Sequence, residues 1–502
     1  MTNRISVLSP QPGIKRDGTD FASRNWIDGV WSRFQRGLPR KIGGYKELIN
    51  TLPNIPRKIF ILPLSPNYNV YIADYASVKY LPINQFGTPI GGVVDRTPAL
   101  FDSNLDNNWK FDTMFSTADN SSVLIAHAAQ SMSSIDNAVE TPIYFGDSAA
   151  VTPLIPTGIN VSGGISVFHP FLFMFGNTGD VKWSAPNDPT TILGDARVTG
   201  SKIVAGSATR GGNTSPAGLL WSLDSLIRVT QVGITTVEFN FDTVTDESSI
   251  LSSRGIVEYD GLYFWVGMDK FFVYNGTVQQ IPNDMSTNFF FDNVNYAQRQ
   301  KVWATKVPRF GEIWWVFPFG NATECNHAVI YNILEKTWYD TPVLRGDGYF
   351  TQVFQNPIWS GNSPNGGGNY SLWIQEKGVD QVNFDNSVTP IDSFVETSIF
   401  SLAAFGIDGQ FGGVDKDIYL YRIEPDFNQT GNMTLTVKGR KYAKSPVVIS
   451  QNSPYTFSPT TEKIDIRDQF REMFLKFESN IAGGFYEMGQ VLAVIKSGDD
   501  RP

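Results

Sequence analysis

Aromatic and β-branched residues recur along this chain in short runs, separated by turns of Gly, Asn and Asp. Residues 257–281 hold an aromatic strand through Tyr263, Phe264 and Trp265, a Gly267-Met-Asp-Lys270 turn, and a second strand ending at Tyr274-Asn275-Gly276. Residues 302–339 repeat that order: Ile313, Trp314, Trp315, Val316 and Phe317, a polar turn, His327 to Asn332, then Thr337-Trp338. Residues 165–183 do so again around Phe171, Phe173 and Phe175. Runs of this length bounded by turn residues predict meanders of short strands. Radial stacking of such units buries strand faces without long free edges, so the pattern predicts an all-β chain built on a β-propeller.

Further units are expected around 70–81, 109–145 and 219–239, and a last one around 349–384, giving six or seven blades. Residues 1–57 are punctuated by glycines and prolines and read as an N-terminal platform arm, anchored by Trp26, Trp31 and Phe34. The propeller is assigned to 58–391. From 392 to 502 period-two alternation at 417–423, 433–438, 474–477 and 485–495 predicts a separate C-terminal β-sandwich. A single short helix is expected after Pro282, capped by Asp284 or Ser286 and running toward Arg299.

Composition sharpens this picture. The chain has 502 residues, 13% aromatic and only 18% charged, and such a charge-poor surface fits burial against partners. Residues 1–58 carry 11 basic and 4 acidic side chains, a net +7, and the remainder carries 29 and 45, a net −16. A basic start on an acidic body reads as a docking segment for an acidic partner, or else as arginines that pair locally. No signal peptide or membrane-length apolar run is evident, which predicts folding in a cytoplasm.

The search for chemistry is mostly negative. The one cysteine, Cys325, and three scattered histidines, His127, His169 and His327, lack metal-ligand spacing. There is no phosphate loop, dinucleotide fingerprint or nucleophile elbow. The expectation is a non-enzyme with no cofactor and no metal, although paired carboxylates of a glycoside hydrolase have no sequence spacing that could reveal them.

Three stretches, 257–276, 303–315 and 329–338, resemble tail nozzle or hub proteins of short-tailed bacteriophages. The start is similar too, in Lys15-Arg-Asp-Gly-Thr-Asp-Phe21, Trp26-Ile-Asp-Gly29 and Lys41-Ile-Gly-Gly-Tyr45, and so is the end, in Phe474 to Ser479 and Phe485 to Gly489. The resemblance implies a structural virion protein of the tail, assembled in the host cytoplasm as a homo-oligomeric, hexameric ring. It implies an adaptor above, tail fibres or tailspikes below, and double-stranded DNA passing through the lumen without sequence-specific binding. The arm would then face the adaptor through Arg16, Arg24, Arg33, Arg36 and Arg40, with Trp26 and Trp31 as anchors. A receptor-binding or fibre-type virion protein is the alternative, and a carbohydrate-active propeller enzyme is the third.

Overall fold

The computed structural model describes residues 4–8, 10–20, 23–133, 135–209, 217–232, 239–401 and 416–500. The chain is all-β. Six four-stranded antiparallel sheets follow one another, spanning 58–95, 107–161, 164–197, 203–245, 256–280 and 303–342, each a simple meander. Their first strands, Lys58–Leu64, Asn107–Ser116, Gly164–Phe168, Ile203–Ala208, Ile256–Tyr259 and Trp303–Val307, line the axis. A seventh sheet begins with Arg345–Tyr349, which packs against both Trp303–Val307 and Lys58–Leu64 and so closes the ring. The fold is a seven-bladed propeller.

The second strand of a blade is covered by the neighbouring blades on both faces, so its burial is continuous rather than alternating. Phe171–Phe175 and Glu312–Phe317 are buried at every position. Tight turns connect them. Asp260 and Gly261 both take positive φ, 50° and 82°, the paired left-handed residues that a two-residue hairpin demands.

The seventh blade departs from the expectation. After Arg345–Tyr349, Ile358–Gly361 and Tyr370–Gln375 its fourth strand is Tyr45–Leu52, from the arm, with Leu52 opposite Tyr370 and Tyr45 opposite Gln375. Gln381–Val382, inside the 349–384 span expected for this blade, pairs parallel to the outer side of this inserted strand, and Phe354 of the same span lies in no strand. Gly44 brings the strand in: a Cβ there would meet the Asp380 carbonyl oxygen at 2.2 Å. In the fourth blade the expected Val237 lies outside the described residues, as does Phe21 of the arm.

The sandwich likewise draws on both ends of the chain. One sheet runs Ile464–Phe470, Lys416–Thr430, Phe485–Asp500, Leu38–Lys41, Ser32–Gln35, with Arg4–Leu8 also paired to Phe485–Asp500. The other runs Asp28–Val30, Ser393–Glu396, Glu472–Ser479, Met433–Arg440, Val448–Ile449. Between them Leu420, Leu435, Leu475, Phe477 and Val491 are wholly buried, and this core continues through Trp31 and Phe34 into Trp303, Trp314 and Trp359 of the last two blades. The divisions expected at 57 and 391 are thus crossed by strand pairing and by one continuous core.

The helix is shorter than expected, Thr287–Asn293, followed by a 3-10 turn at Tyr296–Lys301. Neither Asp284 nor Ser286 caps it. The cap is Asp17 of the arm, whose carboxylate accepts from the backbone N–H groups of Asn288 and Phe289, both at 2.8 Å.

Candidate functional site

The residues expected to face a partner divide sharply once placed. Arg33, on Ser32–Gln35, is 1% exposed. Its Nε lies 2.9 Å from Glu312 Oε1, and its Nη1 and Nη2 donate to Glu376 at 3.0 and 2.5 Å. Glu312 is fully buried and also accepts from Trp314 Nε1 at 2.9 Å and the Tyr339 hydroxyl at 2.6 Å. Burial raises the Glu312 carboxyl above its ordinary value against the opposing pull of Arg33. The guanidinium also sits 3.7 Å over the Phe310 ring.

Arg16 forms the second such knot. It donates to Asp340 through Nε at 2.8 Å and Nη2 at 3.0 Å, and to Asp28 at 2.6 Å. Asp340 is fully buried, with His327 Nε2 at 2.8 Å. Burial pushes that carboxyl up, but Arg16 and His327 outweigh it and hold it below its ordinary value. Trp26 and Trp31 are 1% and 4% exposed, and the Trp31 indole donates to the Gly43 carbonyl at 3.1 Å.

Arg33, Trp26 and Trp31 therefore anchor the arm onto its own chain, which corrects their reading as partner contacts: no surface remains on them for a partner to touch. Arg16 is mostly spent in the same way. Arg24 and Arg36 remain exposed, Arg36 pairing with Glu487 while keeping 74% of its side chain in solvent. Arg40 is intermediate, donating to Gln35 at 2.9 Å and lying 3.8 Å from Glu487. Most of the arm's positive charge is answered locally.

The propeller axis is crossed by side chains. Arg254 donates to the carbonyls of Arg57 at 2.5 Å and Lys301 at 2.8 Å, joining the first and sixth blades. Cys325 is buried, its thiol donating to the Lys301 carbonyl at 3.1 Å and pushed up to about 12 by burial. His169 is exposed at a hairpin end, and His127 is buried in the second blade. Among the described residues no group of three or more His, Cys, Asp or Glu side chains could hold a metal ion, and no helix is long and apolar enough to cross a membrane.

A cleft of about 880 Å³ opens where the arm strand, the seventh blade and the link to the sandwich meet. Trp31, Tyr45, Arg345, Trp373 and Phe384 are on its walls. Sequence reasoning missed it, because its walls come from three separated stretches and Arg345 sits in no recognisable motif. It also missed Glu312, Asp340 and Glu376. A charged residue heading an otherwise aromatic strand, as Glu312 does, was the one local sign.

No family model matches the chain, and no curated protein is similar to it. Among solved structures, the chain is similar to BBS1N in complex with ARL6DN (11% identity, 66% of this chain and 96% of that one, TM-score 0.39). It is similar to an exo-β-1,3-galactanase from Phanerochaete chrysosporium (11% identity, 91% and 100%, TM-score 0.28). It is also similar to a chain of the Mitotic Checkpoint Complex (10% identity, 65% and 96%, TM-score 0.37).

Proposed function

We propose that this protein is a structural component of a phage tail, a nozzle or hub whose copies form a ring that prolongs the DNA channel below the adaptor, helps retain the packaged genome and docks fibres or spikes. The observation that supports this reading is where the resembling stretches fall. Those in the middle of the chain occupy the fifth and sixth blades. Of those at the two ends, far apart in sequence, Trp26–Gly29 and Phe474–Ser479 meet in the sandwich: Gly29 pairs with Val395, and Val395 with Phe477. The mechanism is geometric. An acidic body repels the DNA backbone, so a polyanion slides past without adhering. The adaptor contact rests on the exposed Arg24 and Arg36, with Arg40 sharing Glu487 with Arg36.

The test is the native mass of the purified protein, alone and with tail components, with negative-stain imaging. A ring of about six copies with a central hole is the expected result, a closed cyclic assembly. A monomer or trimer under every condition overturns the proposal. The charge-reversing pair Arg24→Glu and Arg36→Glu is expected to weaken adaptor binding while the chain stays folded.

A further inference from the structure

We infer that the cleft beside the seventh blade is a binding site for an acidic sugar, a saccharide unit carrying one carboxylate. This does not depend on the ring. At about 880 Å³ the cleft has the size of a small-ligand site. Among the described residues Arg345 is its only cationic lining residue. That side chain is 5% exposed, and its Nε and Nη2 have no hydrogen-bond partner among the described residues. Among the described residues its polar contacts are the Leu344 carbonyl, at 3.0 Å from Nη1, and the Tyr45 hydroxyl, and none is a carboxylate. Of the other buried arginines, Arg33, Arg254 and Arg440 face carboxylates, while Arg96, like Arg345, does not, but Arg96 does not line this cleft. An ionised guanidinium in such surroundings is costly without an anion, and Arg345 lines the cleft.

The remaining walls decide the rest of the ligand. Tyr45 and Trp373 lie against the guanidinium, their ring centroids 4.4 and 5.3 Å away, and hold it in place. Phe384, 56% exposed, presents a free aromatic face on the rim. Beside it runs a polar chain: the Tyr45 hydroxyl donates to Gln381 at 3.1 Å, and the Gln381 amide donates to Asn383 at 2.7 Å. An aromatic face next to amides and a hydroxyl suits a ring that has one apolar face and a hydroxylated edge. The carboxylates bound the charge. Glu47 is occupied by Ser371 and by the Phe384 N–H at 2.7 Å, and Asp385 by Ser387, while Asp392 is exposed on the wall. A polyanion would meet that acidic rim, so a single carboxylate fits and a nucleic-acid backbone does not.

Saturation-transfer NMR and calorimetry on the full chain, with glucuronate, glucose and acetate as probes, test this. Glucuronate is expected to bind about tenfold or more tighter than glucose, because a charge-assisted pair is at stake. Phe384→Ala, on an exposed loop, is expected to weaken it several-fold without disturbing folding, and Arg345→Gln to erase the preference for the acid. Equal binding of glucose and glucuronate, acetate binding as well as glucuronate, no binding of any probe, or unaltered binding in Phe384→Ala each overturn the inference.

Discussion

Arg33 is carried into the interior with two carboxylates around it, and its removal would leave Glu312 and Glu376 facing each other away from water. Breaking a buried pair from one side costs more than the pair contributes, about 3–5 kcal/mol. Arg33→Met is therefore expected to lower unfolding free energy in denaturant titration by that amount, whereas Arg36→Ala, removing a solvated pair, should change it by about 0.5 kcal/mol or less. His127 makes a second prediction. It is fully buried, with Nε2 at 3.1 Å from the Val161 carbonyl and 2.9 Å from the Thr141 hydroxyl, and its Nδ1 has no partner. Burial, helped by Lys110, holds its pKa at about 3. An unfolded histidine titrates near 6.5, so below that pH the unfolded chain takes up a proton that the folded chain refuses. The native state is thus favoured fully above about pH 6.5 and progressively less toward pH 3, by roughly 2 kcal/mol at pH 5. His127→Gln should flatten that part of the stability profile in melts at pH 7 and pH 5; an unchanged slope would assign the acid sensitivity elsewhere.

At the level of strands, what could be read from the chain was what neighbours in sequence determine. The first six blades are meanders, and their aromatic runs and turn residues, such as Asp260-Gly261, signal them locally. Tyr45–Leu52 was not legible as a blade strand because its partner Tyr370–Gln375 is some three hundred positions away, and alternation within eight residues does not name a partner. The helix cap failed for the same reason: Asp284 and Ser286 were near, but Asp17 does the capping from the arm. Arg33 looked like a surface charge until Glu312 and Glu376 came to it through the fold. The inserted strand sets an expectation of its own. Ile49→Pro, opposite Leu372, removes a donor and stiffens the backbone inside the closing ladder. Limited proteolysis and circular dichroism should show early cleavage and a broadened melt, while Val388→Pro, on the exposed edge of the same sheet, should leave both unchanged.

Across the whole molecule, the charge asymmetry of the sequence is largely consumed by the fold. A start of +7 on a body of −16 becomes a set of internal ties between the arm and the sixth and seventh blades, through Arg16 to Asp340 and Arg33 to Glu312 and Glu376. Among the arm's described arginines those left exposed are Arg24 and Arg36, which is why the adaptor contact proposed above depends on so few side chains. The convergence of both ends of the chain on one sandwich has a consequence for biosynthesis. Ser32–Gln35 and Leu38–Lys41 leave the ribosome early, but Phe485–Asp500, to which their sheet is joined, comes last. At about 5–20 residues per second, the early strands wait tens of seconds for their partners. During that interval Trp31 and Phe34 lack the sandwich half of their core, so the nascent chain stays dependent on whatever shields it, and a ribosome that stops before Phe485 releases a protein whose sandwich is unformed.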